Sequence, residues 1–121
     1  MPFAAATPYN PGMADALEIY RAGFRLFADD QSEAAIEKYR EALELDPKLA
    51  IAWNALSMAL RQQGDLDGAL EAGRKLVELE PDDALSHTNL SILFQMKGMI
   101  DEAEDEKAEA MRLEMKSRSS S

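Results

Sequence analysis

Cysteine is absent from this chain, and histidine and tryptophan occur once each, as His87 and Trp53. Without a thiol there is no disulfide, no thiolate metal site and no cysteine nucleophile, which fits a reducing compartment. A single imidazole leaves zinc too few soft ligands and leaves no serine–histidine–acid set to argue from spacing. Basic residues are also short: 13 lysines and arginines stand against 23 aspartates and glutamates, a net charge of −10. Binding a phosphate backbone needs a clustered basic face, so nucleic acid is not an expected partner. No apolar run approaches the roughly 18 residues of a membrane span. The opening MPFAAATPYNPGM has no basic residue ahead of its apolar part, and Pro8 and Pro11 interrupt that part. It does not read as a secretory signal. These absences predict a soluble, cytoplasmic protein with no membrane insertion. The Gly-x4-Gly-Lys-Ser/Thr phosphate loop and the Gly-x-Ser-x-Gly elbow are missing too. No catalytic residue, metal ligand or cofactor is therefore expected, and the chain does not read as an enzyme.

What the chain does have is a period. Pro47 and Pro81 lie 34 residues apart, and the same interval separates Ala35, Ala69 and Ala103, and again Gly23, Ser57 and Ser91. A fixed period of that size marks a stacked helical repeat. It divides the chain into an arm over 1–13, copies over 14–47, 48–81 and 82–115, and a polar tail over 116–121. The arm carries no charged side chain and three prolines. Pro8 and Pro11 predict an extended segment rather than a helix. Phe3 and Tyr9 would allow it to lie over an apolar surface. The tail, Lys116 to Ser121, predicts disorder.

Each copy reads as two helices. In the first, Ile19, Ala22, Gly23 and Leu26 recur at spacings of three and four and share a face. Ala35, Tyr39 and Ala42 form the inner stripe of its second helix. Asp30 stands where Gly64 and Gly98 stand later, at a turn that predicts a left-handed residue. Pro47 ends the second helix and biases Asp46 away from helical angles. In the second copy Trp53, Leu56, Ser57 and Leu60 face inward. Asp65 is placed to cap the next helix, and Glu71 and Lys75 sit one turn apart in the favourable order. The glycines Gly68 and Gly73 predict close approach of a neighbouring helix, since each costs ~1 kcal/mol against alanine in a helix. In the third copy His87, Leu90, Ser91 and Phe94 face inward, with His87 a packed or half-buried residue in the place of Trp53. From Asp101 to Glu114 seven acidic residues face two basic ones. This helix reads as the polar cap that the end of a solenoid needs. Its acidic run lacks the spacing and central glycine of a calcium loop and reads as a solvated face, or as a docking face for a basic partner.

At these residues the chain resembles the tetratricopeptide repeat family, whose pattern is Trp-x2-Leu-Gly-x2-Tyr, Ala-x3-Phe, then Pro. The first copy reads Ile19-x2-Ala22-Gly23-x2-Leu26, Ala35-x3-Tyr39 and Pro47. The second reads Trp53-x2-Leu56-Ser57-x2-Leu60, Ala69-x3-Gly73 and Pro81. The third reads His87-x2-Leu90-Ser91-x2-Phe94 and Ala103-x3-Lys107, with Met115 in place of the proline. The resemblance implies an all-α fold, a right-handed superhelical solenoid of three antiparallel helix pairs, six helices in all. It also implies a concave groove, lined by the first helix of each pair, that binds peptides or helices of partner proteins.

The stripe beside the core stripe would line that groove. It comprises Leu17, Tyr20, Arg21, Phe24 and Phe27, then Ile51, Asn54, Ala55, Met58 and Arg61, then Leu85, Thr88, Asn89, Ile92 and Gln95. Such a lining suits an apolar or amphipathic segment, with Asn54 and Asn89 able to bond its backbone. Tyr20, Phe24 and Phe27 read equally well as core of a first helix that no repeat precedes. The lysine–arginine–asparagine clamp by which some relatives hold acidic chaperone tails does not carry over. Its places are held by Tyr20, Phe24, Ala55, Leu85 and Asn89. First helices ~8–10 Å apart would span about 25–30 Å, room for about eight extended residues. The expected function is a non-enzymatic adaptor or scaffold that binds a protein or peptide segment. The alternatives are a self-associating structural protein, and a small chaperone resembling bacterial secretion chaperones with three such repeats.

Overall fold

The computed structural model describes residues 11–119. Among these residues six helices follow in order: α1 (Pro11–Ala28), α2 (Ser32–Leu45), α3 (Ala50–Gln62), α4 (Leu66–Leu79), α5 (Ala84–Met96) and α6 (Ile100–Ser119). Among the described residues there is no strand. Packing is most extensive within the pairs α1–α2, α3–α4 and α5–α6, and α2–α3 and α4–α5 join one pair to the next. This is a solenoid of three hairpins, each covered by its neighbour.

The repeat positions explain the packing. Ala35, Ala69 and Ala103 are all fully buried; a methyl group at this point lets the two helices of a pair approach closely. One hydroxyl then ties each later pair. Ser57 Oγ donates to the Ala69 carbonyl at 2.9 Å, and Ser91 Oγ donates to the Ala103 carbonyl at 2.8 Å. The first pair solves the same problem differently. At Gly23 an added Cβ would lie 2.8 Å from the Tyr39 ring, so glycine there makes room for a large side chain that is itself almost wholly buried. Gly73 approaches its neighbour as predicted: its missing Cβ would sit 3.0 Å from Leu90 of the next pair. Gly68 does not. The three atoms nearest a Cβ there all belong to the Asp65 carboxylate, the first at 2.5 Å, because that carboxylate caps the helix by accepting from Gly68 N at 2.9 Å.

The turns follow their sequence. Asp30, Gly64 and Gly98 all adopt positive φ, at 62°, 84° and 77°, so the left-handed position is a property of the repeat. Asp46 leaves the helical region, with φ −141° and ψ 90°. Lys75 pairs with Glu78 at 3.7 Å and not with Glu71; both alternatives are solvent-exposed pairs worth a few tenths of a kcal/mol.

Both ends of the array differ from expectation. Helix α1 begins at Pro11 rather than Met13, since proline is tolerated in a first turn, where its missing N–H has no intrahelical partner. The rest of the predicted arm lies outside the described residues. Helix α6 runs through Ser119, past the predicted boundary at Lys116. Met115 stands where the first two copies have proline, so nothing breaks the backbone ladder. Lys116 and Arg118 lie in the last turn, where cations suit the helix dipole, and Ser119 Oγ donates to the Met115 carbonyl at 2.8 Å. The predicted tail is therefore helical over most of its length.

Candidate functional site: a trough along the first helices

The first helices α3 and α5 turn one stripe inward and leave the adjacent stripe to solvent. Between them lies an open trough lined by Ile51, Asn54 and Met58 of α3 and by Leu85, Ser86 and Asn89 of α5. Leu76 closes its floor, and Glu80 and Asp83 stand at its edge. Its volume is about 470 Å³. Ile51 is 48% exposed and Leu85 69%, and Met58 and Ile92 are exposed as well. Large apolar side chains left to water in a row mark a contact surface more than an isolated one does. Asn54 and Asn89 are half-buried among them, and each offers donors and an acceptor at a fixed place.

The structure gathers part of the predicted lining and separates the rest. Ile51, Asn54, Met58, Leu85 and Asn89 converge on the trough. Arg61, Ile92 and Gln95 lie farther along the same helices. Thr88 spends its hydroxyl on the Ala84 carbonyl at 3.1 Å, inside its own helix. The α1 aromatics divide. Tyr20 stacks on Tyr39 with ring centroids 5.7 Å apart, and it packs against the core together with Phe27. Burial pushes both phenols, Tyr20 and Tyr39, above the ordinary tyrosine range. Phe24 instead stands 55% exposed, with its centroid 6.2 Å from that of Tyr20. Of that trio only Phe24 extends the free apolar row. Leu17 is half-buried and Arg21 exposed on the same helix. Leu76, Glu80 and Asp83 were not foreseen. They come from the second helix of the repeat and the turn after it, and periodicity in the first helix carries no signal for them.

His87 is a second polar feature, at the seam between the second and third hairpins. It is 7% exposed. Its Nε2 lies 2.8 Å from the Pro81 carbonyl, the offset at which Trp53 Nε1 donates to the Pro47 carbonyl at 2.7 Å. A carbonyl only accepts, so this nitrogen carries a proton. The other nitrogen, Nδ1, lies 2.6 Å from Glu106 Oε1. Satisfying both contacts calls for an imidazolium facing a carboxylate. Burial alone would lower the His87 pKa, but the bonds to Glu106 and Pro81 and the charges of Glu106 and Glu109 outweigh it and raise it above the ordinary value. Glu106 was not singled out from the sequence, although 19 residues separate His87 from Glu106 as they separate Trp53 from Ala72.

Among the described residues no cluster of histidine and acidic side chains could hold a metal ion. None of the described helices is long and apolar enough to cross a membrane.

The sequence profile described as "Tetratricopeptide repeat" matches residues 20–84, over half the chain. The chain belongs to the tetratricopeptide repeat family. Solved structures agree with that assignment. A tetratricopeptide-repeat structure titled as that of MamA superposes with a TM-score of 0.83 at 27% identity, covering 86% of this chain and 61% of MamA. A structure titled as the CopN–Scc3 complex gives 0.79 at 21% identity, covering 83% of this chain and 59% of that one. The second tetratricopeptide-repeat domain of Spaghetti (RPAP3), bound to the HSP90 peptide SRMEEVD, gives 0.75 at 18% identity, covering 81% and 91%. The last two show likeness of fold alone. The chain spans about three fifths of the length of MamA. Among curated protein sequences, none matches it.

Proposed function

We propose that this tetratricopeptide-repeat chain is a non-enzymatic interaction module that binds an apolar or amphipathic segment of a partner protein along the trough of α3 and α5. The exposed row of Ile51, Met58, Leu85 and Ile92, with Asn54 and Asn89 set into it, carries the reading. Phe24 extends the row toward α1, and Arg21, Arg61 and Gln95 flank it as polar handles. Charge narrows the ligand. Glu80 and Asp83 edge the trough and the chain as a whole is acidic, so a segment with basic residues beside its apolar anchors complements it. An acidic tail such as the HSP90 peptide in the RPAP3 complex does not. The architecture supports the reading in general terms, since neighbours of this fold are found in complex with a peptide and with a protein.

The experiment is a titration with amphipathic peptides selected from a display library against the intact chain. Ile51→Gln with Leu85→Gln removes two apolar anchors at positions that are already exposed and adds no charge, so helicity and melting stay near wild type while affinity falls at least tenfold. Unchanged affinity in the folded double variant would place the binding surface elsewhere.

A further inference from the structure

The repeat carries its own reference for a second cavity. Between α2 and α4, away from the trough, lies an open cavity of about 340 Å³. Its floor is Trp53, Leu56 and Leu60, and its rim is formed by Arg40, Glu44 and Glu71. It shares no lining residue with the trough. Its size falls in the range of roughly 300–1,000 Å³ typical of ligand sites.

One repeat further along, each of these positions recurs, and three of them carry larger side chains, Phe94, Glu102 and Glu106 in place of Leu60, Gly68 and Ala72. Leu60 becomes Phe94, which is buried, and Arg40 becomes Arg74, whose guanidinium carbon lies 5.4 Å from the centre of the Phe94 ring. Trp53 becomes His87 and Ala72 becomes Glu106, which join across the gap at 2.6 Å. Gly68 becomes Glu102. The first seam therefore keeps the arginine and the apolar floor but lacks the aromatic ring that the arginine covers in the second.

We propose that this cavity is a second binding site, and that its occupant is a single aromatic side chain of a partner protein, seated on Leu56 and Leu60 beside the Trp53 indole. The Arg40 guanidinium covers the ring face as Arg74 covers Phe94. The carboxylates of Glu44 and Glu71 turn away an anionic ligand, so the ring arrives on a neutral or basic segment. Leucine in place of phenylalanine at residue 60, and glycine and alanine at 68 and 72, make the room.

Trp53 is the only tryptophan in the chain and lines the cavity, so its fluorescence reads occupancy directly. The probe is N-acetylphenylalaninamide, with N-acetylleucinamide as the aliphatic control. The intact chain responds saturably to the phenylalanine derivative with a dissociation constant on the order of millimolar, as expected for so few atoms, and responds much less to the leucine derivative. Arg40→Gln, at an exposed position, weakens the response about two- to fivefold. Leu60→Phe, which supplies the missing ring from within, abolishes it and raises the melting temperature. Equal response to both probes, no saturation, or an Arg40→Gln chain that binds as well as wild type would each overturn the proposal. Those results decide it even if Leu60→Phe does not fold.

Discussion

Replacing Glu106 by glutamine tests the reading of the α4–α5–α6 seam. In the native chain His87 holds two partners at once, the Pro81 carbonyl and the Glu106 carboxylate, and both contacts are satisfied only by the imidazolium. Glutamine keeps the shape and can still bond Nδ1, but the contact becomes neutral. Charged hydrogen bonds contribute about 1.5–3 kcal/mol and neutral ones about 0.5–1.5, so Glu106→Gln costs about 1 kcal/mol when the imidazole is protonated. That corresponds to roughly 4 °C in melting temperature for a chain of 121 residues. The sign with pH follows from the direction of the His87 shift. Its pKa is raised in the folded chain, so the pair's stabilisation is fully present below the unfolded value of about 6.5 and is lost as pH rises through the folded value. The gap between wild type and variant is therefore widest near pH 6 and closes toward alkaline pH. His87 is the only histidine, so this slope is not masked by another imidazole. Thermal melts followed by circular dichroism across that window measure it. A gap that is constant with pH, or that widens as pH rises, would refute the imidazolium–carboxylate assignment.

Other substitutions read other parts of the repeat. Ser57→Ala and Ser91→Ala each remove a buried tie between paired helices and lower unfolding free energy by about 1 kcal/mol in chemical denaturation; a neutral result would show that the hydroxyls contribute no net stability. Gly64→Ala and Gly98→Ala force a Cβ into left-handed backbone and cost about 1–2 kcal/mol, whereas Asp30→Gly stabilises by about 0.5 kcal/mol; opposite signs in these melts would contradict the shared turn geometry. Asp65→Ala uncaps α4 and costs about 1 kcal/mol, with a matching rise in amide exchange over its first turn.

The fold was legible because its determinants recur. Ala35, Ala69 and Ala103 fix where paired helices touch, Asp30, Gly64 and Gly98 fix the turns, and the prolines end the second helices. Each signal appears two or three times at one interval, so a departure at one copy does not hide it. Helix ends were less legible, since Pro11 can begin a helix as readily as it can exclude one, and Met115 removes a stop without announcing how far the helix continues. The site was read in part. A helical stripe places Ile51, Met58 and Leu85 on one side, and the structure leaves them exposed there. The same stripe could not separate Phe24 from Tyr20, because Tyr20 is drawn inward by Tyr39, a residue on the opposing helix that exists in this size only in the first copy. Glu80 and Asp83 at the trough, and Glu106 against His87, belong to other helices and turns. Only the three-dimensional register of neighbouring hairpins brings them in.

The central claim, that the trough between α3 and α5 is where a partner segment sits, is tested most directly by mapping amide chemical-shift changes on the intact chain as a display-selected amphipathic peptide is added. The largest changes are expected at Ile51, Asn54, Met58, Leu85 and Asn89, with α6 little affected. Changes concentrated on α2 or α6, with those five residues unmoved at saturation, would contradict it.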